Sequence, residues 1–475
     1  MRPKAPEGGR SHVHLRPVSE HGSGKAIMVS AVAAIGGFLF GFDTAVINGA
    51  VDAIQHSFGL SPTATGVAVA CALVGSAVGA WFAGRIADRL GRVRVMVIAA
   101  VLFTLSSLGS GFAFTLWDFV AWRVIGGIGV GIASVIAPAY IAEIAPAALR
   151  GRLGSLQQLA IVLGIFVSLL VDAFFAQVAG GAGQPMWLGL AAWRWMFLAG
   201  VVPAIAYGVL ALQIPESPRF LVARGQLEAA ARVLRDMLGE IDIAAKVRDI
   251  AASMKREHAP SLRDLRGPRF GLLGIVWIGI VLSMFQQLVG INVIFYYSTT
   301  LWHSVGLTES DALAISVATS VTNVVVTIVA IALVDRIGRR PLLLVGSAGM
   351  ALCLAAMAVA FAHGDGDHLA AQYGTIALVA ANGYVVFFGV SWGPVVWVLL
   401  GEMFGNRIRA SALAVAAAAQ WAANFAVSVT FPSIASHLGL AFAYAMFAAF
   451  AAASLAFVWR HIAETRGREL ESMTD

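Results

Sequence analysis

The sequence predicts an all-α membrane protein: twelve transmembrane helices in two six-helix halves, with short cytoplasmic helices between the halves. Three observations predict it: the composition, twelve long apolar runs, and a charge pattern that occurs twice. Of 475 residues, 59% are hydrophobic and 12% charged, and mean hydropathy is +0.82. A soluble domain carries about 25% charged residues, so an ordinary soluble protein is excluded. The two cysteines, Cys71 and Cys353, lie in apolar runs and suit neither a disulfide framework nor a metal site. The ten histidines show no metal-ligand spacing either. No cleavable leader is expected, because residues 1–25 are polar and basic and no cleavage pattern follows the first apolar run.

The apolar runs are approximately 27–50, 65–86, 95–115, 119–142, 153–176, 193–212, 270–300, 312–334, 342–362, 375–400, 410–431 and 440–459. A helix crosses a bilayer with about 20 apolar residues, so twelve crossings need roughly 240. The runs are continuous, unlike the alternating segments of about ten residues that build a barrel. They divide the chain into a tail (1–26), a first half (27–212), a linker (213–269), a second half (270–459) and a second tail (460–475). If the N-terminus is cytoplasmic, 30 of the 32 Lys and Arg fall on the cytoplasmic side. The exceptions are Arg123, inside the fourth run, and Arg194, at the outer start of the sixth. That bias puts both termini in the cytoplasm and the protein in the plasma (inner) membrane as a multi-pass protein. The +6 net charge is thus a topology signal rather than a nucleic-acid surface. Within the linker, Gln226–Leu238 has the apolar spacing of an amphipathic helix.

The repeat is carried by charges. Gly84-Arg-Ile-Ala-Asp88-Arg89-Leu-Gly91-Arg92 follows the second run, and Asp335-Arg336-Ile-Gly338-Arg339-Arg340 follows the eighth. Glu143 and Arg150 stand seven positions apart after the fourth run, as Glu402 and Arg409 do after the tenth. Matching elements are separated by 247 to 262 positions, which marks a duplication of six spans. Parallel repeats of this kind hold a binding site near the bilayer midplane, between the halves. The charged turns and the Glu/Arg pairs are expected to form a cytoplasmic latch that breaks when that side opens. The bland alternative is topogenic charge with static bracing.

Asp43 lies within the first run, and an intramembrane carboxylate is a functional candidate because its burial must be compensated. At 1.5 Å per residue, Asp43 stands ~24 Å above Ile27 and Arg123 ~28 Å above Ala142, so antiparallel helices bring them to similar depth. Burial favours the protonated acid and a guanidinium favours the carboxylate. A group balanced between the two can load and release one proton. Gln158, Gln286, Gln287, Asn292, Asn323, Gln420 and Asn424 are amides inside apolar runs. Amides both donate and accept hydrogen bonds, and Trp392 and Trp421 could cover an apolar C–H face. Together they suit a polyhydroxylated ligand, although one buried amide alone serves equally as interhelical glue. On a straight helix Gln287 and Asn292 point about 140° apart, so they share a site only if the helix unwinds at Gly290. Gly393-Pro394 offers a similar break beside Trp392. Tyr296 and Tyr297 suit an outer gate or ordinary packing.

With Pro215-Glu-Ser-Pro-Arg219, Gln286-Gln287-Leu-Val-Gly-Ile-Asn292 through Tyr297, Ser391-Trp392-Gly-Pro394 and Gln420-Trp421-Ala-Ala-Asn424, residues 27–470 resemble the sugar porter family of the major facilitator superfamily, most of all its bacterial proton-coupled members. The C-terminal pattern departs from the family in reading Ala463-Glu464-Thr465-Arg466-Gly467, without the first proline, and the second charged turn opens with Ile331 where the first has Gly84. The resemblance implies the major facilitator fold and proton coupling through Asp43 with Arg123. It also implies sugar contact by Gln158, Gln286, Gln287, Asn292, Trp392, Gln420 and Trp421.

The expected function is import of a pentose or hexose with a proton by alternating access. A proton-coupled symporter of an inositol-type polyol, and a transporter-like sugar sensor, remain alternatives. An enzyme would need a catalytic constellation, and none is found. No cofactor, nucleotide, nucleic acid or metal is expected as partner, only sugar, proton and lipid, and a monomer suffices. Gly126-Gly-Ile-Gly129-Val-Gly131 resembles a nucleotide loop but follows no strand, so close helix packing is expected there. Gly22-Ser-Gly24-Lys25-Ala26 lacks the spacing of a phosphate-binding loop.

Overall fold

Twelve helices long and apolar enough to cross a membrane make up the computed structural model, which describes residues 20–145, 150–238, 242–256, 262–268, 270–303, 306–364, 370–404 and 408–464. The first span is α1 (Glu20–Ala45), a 3-10 turn (Asn48–Ala50) and α2 (Val51–Phe58). Then come α3 (Pro62–Leu90), α4 (Arg92–Phe112), α5 (Leu116–Ile144) and α6 (Arg150–Ala179), and a sixth span split into α7 (Ala192–Ala199) and α8 (Val201–Ala211). The linker carries α9 (Pro218–Ala223), α10 (Leu227–Leu238) and α11 (Ile243–Arg256), with α10 where amphipathic spacing predicts a helix. In the second half α12 (Gly274–Leu288) and α13 (Ile291–His303) form the seventh span, followed by α14 (Glu309–Ile337) and α15 (Arg339–Ala362). The tenth span is α16 (Ala371–Val390) and α17 (Trp392–Met403), and α18 (Arg409–His437) and α19 (Gly439–His461) complete the fold.

The twelve spans fall on the twelve predicted runs, and most extend past them by a few residues, although the seventh starts at Gly274 rather than at residue 270. The largest extension is α2, which carries the first span to Phe58 beyond the expected end at residue 50. Hydropathy locates apolar chain, whereas capping sets helix ends. Ser61 caps α3 by accepting from the Ala64 N–H, and Thr115 caps α5 by accepting from Asp118 N–H. Residues 22–26 lie inside α1, not in a loop.

Small residues let α3 and α5 approach closely. A β-carbon on Gly127 would stand 1.9 Å from the Ala72 carbonyl oxygen, and one on Gly131 2.1 Å from that of Ser76. Conversely, Gly75 and Gly79 of α3 face the carbonyls of Val124 and Ile128 at 2.1 and 2.2 Å. The glycine run of the fourth span is therefore a packing seam, as close helix contact in lipid requires.

Both ends of the described chain lie at one end of the bundle, here called the terminal face. At the opposite, distal face the two halves meet through a polar clamp. Asn48 donates to the Phe295 carbonyl at 3.0 Å and the Ser298 hydroxyl at 2.7 Å, and accepts from the Thr299 N–H at 3.1 Å. Nearby, Thr300 donates to Asp52 at 2.8 Å and the Ala182 N–H to Glu309 at 2.7 Å. The apolar core is divided in the same way. Phe42, Val46 and Ile47 share one cluster with Ile291, Ile294 and Phe295 of the second half. Toward the terminal face, Val29, Ala33, Ala83 and Tyr140 belong to a separate cluster within the first half. The molecule is thus closed at its distal end.

Candidate functional site

Near the middle of the first span, Arg123 of α5 reaches Asp43 of α1. One guanidinium N–H donates to Asp43 Oδ1 at 2.9 Å, and another to the Asp43 backbone carbonyl, also at 2.9 Å. Both residues are buried, at 6% and 1% exposure, so the pair sits inside protein and away from lipid. The Phe197 ring lies 5.5 Å from the guanidinium carbon, a cation–π arrangement. Asp43 Oδ2 and Arg123 Nε have no hydrogen-bond partner among the described residues. A cavity of about 10 Å³, on the scale of one water, adjoins the carboxylate and is lined also by Phe42, Val46, Ser107 and Phe197.

Gln286, Gln287 and Asn292 flank the break in the seventh span. Gly290 separates α12 from α13 with φ +84°, a left-handed backbone. A β-carbon there would also lie 2.7 Å from the Phe447 ring, so glycine is required twice over. The break turns Asn292 back to Gln287, and its amide donates to Gln287 Oε1 at 2.6 Å. The two side chains predicted to converge only on unwinding do converge. Unwinding frees the Val289 carbonyl, and the Tyr384 hydroxyl of α16 donates to it at 2.9 Å, which removes an otherwise costly orphan acceptor. Gln286, on the adjacent face, donates to the Trp392 and Gly393 carbonyls at 2.8 and 3.2 Å, and its own Oε1 has no partner among the described residues. The tenth span breaks at Ser391, one residue before Trp392. Gln420 of α18 is half-buried, and its buried Oε1 has no partner among the described residues.

Other predicted residues stand differently. Trp392 is fully buried, with its indole N–H bonded to the Leu343 carbonyl and the Ser347 hydroxyl, so no ring face is open in this state. Trp421 is half-buried and meets Phe40 of the first half, with 5.9 Å between ring centroids. Gln158 is half-buried, whereas its neighbour Gln157 is buried against Gly37, and neither of its amide atoms has a partner among the described residues. Asn323 is buried on α14 beside Gly389 of α16. Asn424 accepts from Ser428 at 3.2 Å, and Tyr297 donates to the Ser428 carbonyl at 2.8 Å. Tyr296 and Tyr297 are buried where α13 packs on α18.

At the terminal face the two charged turns have the same construction. Arg92 donates to both Glu143 oxygens at 3.0 and 3.1 Å, with Asp88 at 3.2 Å. Arg339 donates to both Glu402 oxygens at 2.7 and 3.1 Å. These bidentate pairs brace each half internally rather than joining the halves. Arg89 and Arg336 are exposed, and the side chains of Arg150, Asp335 and Arg409 lie outside the described residues. Sequence reasoning did not identify two carboxylates. Glu216 accepts from the N–H groups of Arg92 and Val93, and Glu464 from those of Arg339 and Arg340, all at 2.9–3.2 Å. Each neutralises a helix N-terminus. Gly91 and Gly338, at φ +96° and +103°, leave room for them. Ser217 also donates to Glu143. The signal was present, since Glu216 and Glu464 are 248 positions apart, within one of the 247 that separate the turns they cap.

Comparison with known proteins follows this geometry. The family model for "Sugar (and other) transporter" matches residues 29–475. The glucose transport protein of Synechocystis sp. is 58% identical to this chain, over 94% of it and 96% of the relative. The D-xylose-proton symporter of Escherichia coli is 37% identical, over 96% of each. Among solved structures, the inward open conformation of the xylose transporter XylE from E. coli aligns with a TM-score of 0.80 at 36% identity, covering 94% of this chain and 99% of that one.

Proposed function

Because this chain belongs to the sugar (and other) transporter family, we propose that it carries a monosaccharide, a pentose or hexose, inward together with a proton. It is a transporter and not an enzyme. Relatives named for glucose transport and for xylose–proton symport support this reading. The observation that carries the coupling is the Asp43–Arg123 pair: a buried carboxylate with one oxygen held by the guanidinium and the other unpartnered beside a small cavity.

The chemistry follows from those atoms. A proton adds at Asp43 Oδ2, the oxygen that Arg123 does not occupy. This removes the negative charge opposite Arg123, while the guanidinium keeps its bond to the Asp43 backbone carbonyl. The sugar site is the amide set of Gln158, Gln286, Gln287, Asn292 and Gln420, with Asn323 at its edge. The buried oxygens of Gln286 and Gln420 are acceptors for sugar hydroxyls. Trp421 offers a ring face, and Trp392 backs Gln286 through its carbonyl. Proton and sugar sites both lie mid-span, so one rocking motion of the halves exposes both to either side.

We assign the terminal face to the cytoplasm, on the support of the 30 basic residues expected there, and the protein to the plasma (inner) membrane. The halves are residues 27–212 and 270–459, joined by the linker 213–269 and flanked by cytoplasmic tails. When the terminal face closes, the two braced turns come together, and Asp88, Arg89, Arg92, Glu143 and Arg150 with Asp335, Arg336, Arg339, Glu402 and Arg409 form the latch. One chain contains every group, so a monomer suffices. Uptake of labelled xylose, glucose, galactose, arabinose and inositol into vesicles, with and without an imposed pH gradient, tests the proposal. Uptake of none of these, or uptake indifferent to the gradient, refutes it.

A further inference from the structure

The distal clamp depends on one residue that the transport cycle has not yet used. Asn48 is fully buried and makes its cross-half bonds to Phe295, Ser298 and Thr299 from the 3-10 turn Asn48–Ala50. The Thr299 hydroxyl returns a bond to the Asn48 carbonyl at 2.5 Å. A turn of three residues has little rigidity of its own, and this one is anchored from behind. Asp172, on α6 in the same half, accepts from the Gly49 N–H at 3.2 Å. Asp172 is 0% exposed, and its other oxygen has no partner among the described residues, so the carboxylate is dedicated to this turn. The approach is close: a β-carbon on Gly49 would stand 2.6 Å from the Asp172 Cβ.

We infer that Asp172 is a positioning residue of the distal gate: by holding Gly49 it sets the turn so that Asn48 reaches the second half. It touches neither sugar nor the Asp43 proton site. Its place next to the clamp, on the opposite side from α13, means that the gate parts between Asn48 and Thr299 while the turn stays with α6. The inference rests on the alternating-access reading. Its readout is a distance between halves, which needs neither a particular sugar nor proton coupling.

Spin labels at Ser57→Cys and Ser310→Cys, both exposed and on opposite halves at the distal face, report the gate. The background is Cys71→Ala and Cys353→Ala, with the full chain in lipid nanodiscs. Pulsed dipolar distances should show Asp172→Ala raising the open-to-closed ratio about fivefold or more. Gly49→Ala, which forces the turn off the carboxylate by a different route, should do the same. Asp172→Asn keeps an acceptor for Gly49 and should stay within about twofold of the parent. Combining Asp172→Ala with Gly49→Ala should add nothing, because both remove one contact. In uptake normalised to the amount of folded protein, Asp172→Ala should lower the turnover per transporter with little change in KM. An unchanged distance distribution in Gly49→Ala, or Asp172→Asn opening as far as Asp172→Ala, overturns the inference. A parent that moves no sugar but whose gate obeys these variants would overturn the transport reading alone.

Discussion

Replacing Asp43 by Asn should abolish sugar accumulation while leaving sugar binding and exchange intact. Arg123 donates to Asp43 twice, to Oδ1 and to the backbone carbonyl, each at 2.9 Å. An asparagine keeps both acceptors, so the geometry survives, and what is lost is the charge and the titratable proton. Removing one partner of a buried pair outright costs about 3–5 kcal/mol. Here both hydrogen bonds persist, so the loss should be nearer the gap between a charged and a neutral bond, about 1–2 kcal/mol. The protein should therefore still insert and bind sugar. Coupling is a separate quantity. One carboxyl carries one proton per sugar, and one pH unit is worth about 1.4 kcal/mol, or tenfold. An inward proton gradient of about two units can thus hold sugar at up to ~100-fold in the parent and at no excess in the variant. Proteoliposomes with an imposed pH difference provide the assay, with accumulated label and sugar-induced proton entry read together. Labelled-sugar exchange at equal pH and binding in detergent are the controls. Uphill uptake with proton entry in Asp43→Asn would refute the assignment, because the proton would then travel through another group.

Gln287→Ala should weaken sugar binding by about 1–3 kcal/mol, roughly 5- to 150-fold, because it removes an amide and leaves Asn292 without its acceptor; titration calorimetry measures this, and unchanged affinity would move the site elsewhere. Gly290→Ala meets both a left-handed φ and the Phe447 ring. Its thermal midpoint should fall and its transport rate collapse, whereas a parent-like midpoint would show that the break tolerates a side chain. Glu402→Gln leaves Arg339 without a charged bidentate partner and should shift the population toward the terminal-open state. Labelling of a cysteine placed in the terminal cavity should rise by a factor of about 5 or more, and equal labelling would count against the latch.

Some of the site was readable from residue spacing alone. The rise per residue put Asp43 and Arg123 at one depth, and they meet at 2.9 Å. The angle between Gln287 and Asn292 demanded an unwound Gly290, and the helix is broken there. Rotation about the helix axis was not readable. A span that is apolar all round carries no polar face to orient it, so nothing in the sequence tells Gln157, wedged against Gly37, from the half-buried Gln158. For the same reason the ring of Trp392 was expected at the sugar, yet in this state its N–H is turned to Ser347. Asp172 meets the criterion that singled out Asp43, an acid inside an apolar run. Its partner, a backbone N–H 123 positions away, has no signature in side-chain chemistry.

The second bond of Arg123, to a backbone carbonyl, has an electrical consequence. On the proposed mechanism that contact does not depend on whether Asp43 carries a proton, so the cation would keep its place when the proton arrives. The pair then behaves as a fixed positive charge beside a negative charge that can be switched off. Empty, the site is neutral; loaded with proton and neutral sugar, it carries one net positive charge across the membrane. Only the loaded stroke feels the transmembrane voltage, which is worth about 2.3 kcal/mol per elementary charge per 100 mV. A potassium diffusion potential, negative inside and with no pH difference, should therefore drive sugar accumulation by itself. Indifference to that potential would mean that no net charge crosses with the sugar, because no proton is carried or because a counter-charge moves with the load.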